Sequence, residues 1–358
     1  MRALFIILCL VSLLLLSGAG IRETVESFDL KYPAYFGNKV FVPADNPATR
    51  AGVQLGRMLF YEKALSANNS LSCASCHKQE LAFTDGLKFS IGVDGTIQSR
   101  NAMSLANLLW VRNLFWDGRA STLEEQAKTP LTDLHEMGQS LIVSVNKLNQ
   151  KEQYKTLFKS AFNADTITGE LIVKALSQFE RTLISADSRY DKYLRGEYQP
   201  TASELSGIRL FYGAPDLSNK MNGANCAHCH GGPKTYSELF QNNGLDSIFT
   251  DEGRGKFTKQ PYDKGRFRVV TLRNIALTAP YMHDGRFKTL EEVVDHYSAH
   301  IVQSSTLSPF LQSGSNNMGQ DPIRLTNEEK KDLIAFLQML TDSTFITNKN
   351  FSDPFLNK

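Results

Sequence analysis

The chain has little charge of one sign to spare. It carries 39 basic and 37 acidic residues, a formal net charge of +2. No field of one sign is therefore available for nucleic acid or for an anionic membrane surface. Long apolar runs are missing beyond the extreme N-terminus, so no later segment is expected to cross a bilayer. Strand-like alternation is scarce and no βαβ pattern occurs, which points away from sheet-based folds. Cysteine is sparse, five among 358 residues, and its placing proves more informative than its number. Against these shortages stands a 42% hydrophobic content, enough for globular cores, in a length that suits about two domains.

Arg2 precedes the apolar run Leu4–Leu16, and the small residues Ser17, Gly18, Ala19 and Gly20 follow. A charged start, an apolar stretch and small residues predict a signal peptide over residues 1–20, cleaved near Ala19 or Gly20. The run is short for a membrane anchor, and Cys9 lacks the small residue that would precede a lipidated cysteine. Export to the periplasm follows, with no stable membrane span once the signal is removed.

Four cysteines then remain, in two close pairs, each followed directly by histidine. Exported proteins ordinarily use cysteine for disulfides. Here Cys73-Ala74-Ser75-Cys76-His77 and Cys226-Ala227-His228-Cys229-His230 both read C-x-x-C-H, the attachment signature of c-type haem. Two thiols add across the two vinyl groups on one edge of the porphyrin, and the adjacent histidine reaches the iron. A zinc site would have to join pairs about 150 residues apart and would leave the histidines unexplained. A thioredoxin-like site would need the missing βαβ pattern. His228, in a variable position, is expected at the surface.

The coarse organisation is two halves, each with a motif near its start. Asn46-Pro47 is read as an N-cap with proline at the first helical position, opening a helix through Val53, Leu55, Leu59 and Phe60. A second helix is expected from about Thr168 to Leu183. The polar stretch Asp187–Thr201 marks a boundary, dividing residues 21–195 from 196–358, with a C-terminal tail that packs back on the first half. In the second half Thr201 and Glu204, and later Thr326 and Glu329, form capping boxes. The loops Gln241–Gly265 and Ser304–Asp321 are long, and wrapping a large cofactor is one reason for such loops. The predicted class is all-α: two cytochrome-c-like helical haem domains with long loops.

From about Gly56 to Leu340 the sequence resembles the bacterial dihaem cytochrome c peroxidase/MauG superfamily. The resemblance is carried by Leu71-SCASCHKQELAFTDG-Leu87, Arg100-Asn101-Ala102, Phe115-Trp116-Asp117-Gly118-Arg119, Leu123-EEQAKTPL-Thr132, Glu136-Met137-Gly138, Asn225-CAHCHGG-Pro233 and Val270-TLRNIALTAPYMHDGRF-Lys288. It implies a peroxidatic N-terminal haem, a C-terminal haem that relays electrons, a tryptophan between them and a nearby calcium ion. The matching positions are Glu136 as acid/base group, Gln126 to orient peroxide, Pro130 to shape the pocket and Trp116 as bridge. Asn101, by side chain, with Thr278 and Pro280, by backbone carbonyls, match the calcium ligands.

Two departures stand out. Typical dihaem peroxidases block the peroxidatic iron with a histidine until the other haem is reduced. In Phe89-Ser90-Ile91-Gly92-Val93 that place is taken by Val93, which cannot ligate iron. His77 and His135 are the first half's only histidines, and His135 is read as a pocket or surface residue. The His77 haem is then expected to be high-spin and five-coordinate. Opposite His230, the methionine of typical members is replaced by Tyr297, as in MauG. Met282, His283, His296 and His300 compete for that site.

The resemblance implies a periplasmic enzyme that reduces hydrogen peroxide, drawing electrons from a small c-type cytochrome or a cupredoxin. A MauG-like alternative oxidises residues of a partner protein through a paired high-valent dihaem state. A third reading, from a different class, is a non-catalytic dihaem electron carrier. The family includes monomers and homodimers.

Overall fold

A computed structural model describes residues 26–214, 223–311 and 325–356. The signal segment, and the part of the Ser304–Asp321 loop beyond residue 311, lie outside the described residues. The fold is mostly helical. Its regular sheet, among the described residues, is a two-stranded antiparallel ribbon with Phe240 opposite Arg268 and Gln241 opposite Phe267. Among the described residues no helix is long and apolar enough to cross a membrane.

The same helical plan occurs twice. In the first half the helix Arg50–Tyr61 precedes the cysteine pair and buries Leu55, Leu59 and Phe60. It crosses the helix Gly169–Glu180, whose buried side includes Ile172, Ala175, Leu176 and Phe179. Gly56 marks the crossing: a Cβ there would lie 1.9 Å from the Ala175 carbonyl oxygen. In the second half Ala202–Tyr212 crosses Asn327–Met339, and a Cβ on Gly207 would lie 2.0 Å from the Asp332 oxygen. Glycine thus sets the closest approach of backbones at both crossings. Gly207→Ala is expected to destabilise the protein by ~1–3 kcal/mol through overpacking, read as a lower denaturant midpoint at unchanged slope.

The caps hold these helices as local chemistry predicts. Thr201 with Glu204, and Thr326 with Glu329, form reciprocal capping boxes. The first helix starts later than Asn46-Pro47 suggests, because Thr49 is its N-cap and accepts from the Gly52 amide. Asn46 is instead buried, donating to Glu124 Oε1 at 2.5 Å and to the Lys174 carbonyl at 3.1 Å. Its side chain is used in tertiary bonding, and the next residue able to cap takes over.

Apolar side chains gather into one cluster around Phe60, Phe83 and Phe179 and another around Phe211, Phe336 and Leu340. Phe345 and Phe351, near the end of the chain, belong to the first cluster. Tyr61 Oη donates to the Phe351 carbonyl at 2.7 Å. The polar stretch Asp187–Thr201 carries its own helix, Arg189–Leu194, whose Asp191 is wholly buried. Asp191 pairs with the equally buried Arg273 and accepts from Tyr35 Oη at 3.0 Å.

Candidate functional site

Each cysteine pair occupies a single helical turn, Cys73–Cys76 and Ala227–His230. The first is opened by Ser72, which shares a reciprocal capping box with Ser75. A helical turn brings residues three and four apart to one side, so the two thiols and the following histidine stand together. All four cysteines are free of disulfides. Burial pushes the Cys73 thiol up, and the Cys226 thiol up to about 12.

Both histidines are oriented in the same way. His77 Nδ1 lies 2.8 Å from the Phe83 carbonyl oxygen, and His230 Nδ1 lies 3.0 Å from that of Val270. A carbonyl oxygen can only accept, so Nδ1 carries the proton and the lone pair sits on Nε2. A histidine that donates one ring nitrogen to a carbonyl and keeps the other for metal is the arrangement that ligation needs. Burial also pulls His77 down, and His230 down to about 4, which keeps both rings neutral. The Phe83 carbonyl is aimed by two successive left-handed residues, Ala82 at φ 51° and Phe83 at φ 62°. Such strain in non-glycine residues is held only where neighbours insist on it. These features fit a haem edge held by thiols with an axial imidazole at each motif.

Around the first motif, the helix Leu123–Thr132 opens on Thr122, which accepts from the Glu125 amide. Gln126 and Pro130 are one turn apart and half-buried on this helix. The chain then folds back. Met137 N donates to the Pro130 carbonyl at 3.0 Å, and Gly138, at φ 69°, donates to Asp133 at 2.8 Å. This reversal returns Glu136 beside Pro130. Burial, then the charge of Asp133, raises the Glu136 carboxyl above the usual range, while Arg119 opposes them. The Glu136 charge is felt at both Cys73 and Cys76, so the acid faces the first motif. Val93 N donates to the Glu136 carbonyl at 2.8 Å, which sets the valine next to the acid. His135 points away: it is 61% exposed and paired with Asp94 at 2.8 Å.

The second motif opens on a cavity lined by Cys226, Cys229, His230, Met282 and Tyr297, which reaches Trp116 of the first half. Trp116 Nε1 donates to the Asn101 carbonyl at 2.9 Å, and its ring stands edge-on to His283 with centroids 6.4 Å apart. Asn101, Thr278 and Pro280 line the same cavity. The Asn101 amide nitrogen donates to the Leu87 carbonyl at 2.8 Å, which turns its side-chain oxygen to other use. These oxygens are neutral, a donor type that calcium accepts alongside water. Among the described residues no cluster of three or more His, Cys, Asp or Glu could hold a metal ion by itself.

The competing ligands opposite His230 separate by position. His283 is stacked on Phe267, with centroids 3.7 Å apart. His296 Nε2 donates to the Asn243 carbonyl at 2.9 Å. His300 is exposed at the end of the helix Leu290–Ala299. Met282 and Tyr297 line the cavity together with the Phe267-stacked His283, whereas His296 and His300 do not, and burial raises the Tyr297 hydroxyl strongly. His228 is exposed and lies against Phe310.

Sequence reasoning missed several participants. The Phe83 and Val270 carbonyls that fix the histidines have no sequence signature. Asn243, within reach of both Tyr297 and Met282, is 54 residues from the former in sequence. Glu180 is buried, has an oxygen without a hydrogen-bond partner, and is pushed up to about 8, chiefly by burial. Its charge is felt at Cys73.

Known proteins resemble this chain. Residues 50–199 match the family described as di-haem cytochrome c peroxidase. The methylamine utilization protein MauG of Methylophilus methylotrophus is 34% identical over 334 residues, covering 91% of this chain and 94% of that protein. The cytochrome c551 peroxidase of Nitrosomonas europaea is 33% identical, covering 84% of this chain and 83% of its own. A crystal structure of a MauG-like protein associated with microbial copper homeostasis superposes with a TM-score of 0.83 at 38% identity, over 92% of this chain and 99% of that one. Two C-x-x-C-H motifs, their oriented histidines and likeness across nearly the whole length converge, and the chain belongs to the dihaem cytochrome c peroxidase/MauG family of oxidoreductases.

Proposed function

We infer that the protein is a periplasmic peroxidase, reducing hydrogen peroxide to water with electrons from a small c-type cytochrome or cupredoxin. The observation that carries this reading is the chain reversal after Pro130, where Met137 N donates to the Pro130 carbonyl and Val93 N to the Glu136 carbonyl, with a buried Glu136 carboxyl whose charge reaches Cys73 and Cys76. We assign the thiols of Cys73 and Cys76, and of Cys226 and Cys229, to covalent haem attachment, with His77 and His230 as proximal ligands.

Haem held by Cys73, Cys76 and His77 would supply the redox chemistry by which peroxide is reduced. Glu136 supplies the proton traffic: its carboxylate takes the proton of the nearer peroxide oxygen and returns it to the departing one. Gln126, one turn from Pro130 on the same helix, orients the substrate. Val93 offers no ligand atom where typical members carry a histidine. Overall, one peroxide, two electrons and two protons give two waters. Trp116, held by the Asn101 carbonyl, would carry electrons between the halves, and Asn101, Thr278 and Pro280 would hold calcium.

Val93 and Tyr297 together favour a second reading, in which the same site oxidises residues of a partner protein. Tyrosinate is a hard anionic donor and lowers the potential of the haem it ligates. The readings part on turnover: cytochrome oxidation by peroxide supports the first, and an oxidised partner with negligible cytochrome turnover the second.

Electron paramagnetic resonance of the ferric holoprotein tests the assignment. One high-spin and one low-spin signal are expected, with the high-spin signal lost on adding peroxide. Two low-spin signals indifferent to peroxide would leave only an electron carrier.

A further inference from the structure

We propose that Asn243 is a positioning residue that decides whether Tyr297 or Met282 takes the sixth site opposite His230. The inference rests on the reading of Tyr297 as that ligand. The Asn243 carboxamide nitrogen reaches both candidates, lying 3.5 Å from Tyr297 Oη and 3.3 Å from Met282 Sδ. An amide NH2 has two hydrogens and no lone pair to offer iron. One hydrogen stabilises the phenolate that ligation creates. The other occupies the thioether sulfur, which must be free to bind metal. A single group thus strengthens one ligand and restrains its rival.

Each partner is held in place. Met282 has φ 76°, a region costly for a non-glycine residue, in a turn closed by Gly285 N donating to its carbonyl at 3.2 Å. This turn fixes the sulfur at the cavity, where Met282 and Tyr297 both form part of the wall. Asn243 is anchored through its own main chain, since its carbonyl accepts from His296 Nε2 at 2.9 Å. That bond fixes the His296 ring, which is not among the residues lining the cavity. Next along the chain, Gly244 has φ 72°, and a Cβ there would lie 2.5 Å from Ile301. The Asn243–Gly244 backbone is therefore locked to the segment following the Tyr297 helix.

A hydrogen bond to a charged group shifts an equilibrium by roughly tenfold or more. In the ferric holoprotein, Asn243→Leu and Asn243→Ser are expected to raise the thioether-ligated fraction by about that factor. The change is read as a weaker tyrosinate-to-iron charge-transfer band, a new thioether-to-iron band and a higher midpoint potential for this haem. Met282→Leu alone should leave the parental spectrum, and Asn243→Leu with Met282→Leu should lack the thioether band. Parental spectra and potential in both Asn243 variants would overturn the proposal, as would a spectrum altered by Met282→Leu alone. Tyr297→Phe separates the two layers. If it abolishes the charge-transfer band, the ligand reading stands and the Asn243 variants judge the inference alone. If it leaves the band, the ligand reading fails, and the inference with it.

Discussion

Glu136→Gln slows the reaction with peroxide by a factor of about 10²–10⁴, the range lost when a positioned acid/base group is removed. Glutamine keeps the shape and the backbone bond from Val93 N, so the loop stays folded while the proton shuttle is gone. The carboxylate must be ionised to accept the first proton. Burial raises its pKa, so the rate should fall on acidification at a higher pH than for an exposed glutamate. That limb of the pH profile should flatten in the glutamine variant. Stopped-flow mixing of ferric holoprotein with peroxide gives both quantities, and a near-parental rate in Glu136→Gln would remove Glu136 from the mechanism.

The largest effect on stability is expected at Arg273. Its guanidinium and the Asp191 carboxylate are both wholly buried and paired. The guanidinium also donates to the Pro233 carbonyl, which follows the second motif, and to Ser188 Oγ at 3.1 Å. Arg273→Met leaves a buried carboxylate without its counter-charge and should cost ~3–5 kcal/mol. Adding Asp191→Leu should recover part of the loss, since an apolar pair of similar volume tolerates burial. Burial pushes Asp191 up, but Arg273 and Ser188 outweigh it, and the net direction is down. A depressed carboxyl contributes stability above its unfolded pKa, about 3.9, and that contribution is lost as pH falls further. Denaturant unfolding of the holoprotein measures all three, and a loss below about 1 kcal/mol in Arg273→Met would show the pair to be dispensable.

What could be read from the sequence was what local spacing determines. The two C-x-x-C-H motifs lie within about one helical turn each, and the capping boxes of Thr201 and Thr326 join residues three positions apart. Asn46 was misread because its side chain is claimed by Glu124 and Lys174, 78 and 128 residues away, and capping propensity cannot foresee such a competitor. The same distance hid Asn243, since a lone asparagine in a loop ordinarily reads as a turn former. Asp187–Thr201 reads as polar and loop-like in sequence, yet its Asp191 faces inward to Arg273 and the Asp187 amide donates to Asp342. Gln126, Pro130 and Glu136 were reached through resemblance. Their geometry depends on a chain reversal that no periodicity encodes.

The placing of Phe345 and Phe351 has a consequence for assembly. These rings complete the packing around Phe83, although more than 260 residues of chain intervene. Closing so long a loop is slow relative to local contacts. The N-terminal half therefore emerges from synthesis with its interior unfinished. It is sealed only when Phe345 and Phe351 arrive, so a chain cut short behind the last long helix would leave the N-terminal half, not the distant end of the molecule, exposed to proteolysis.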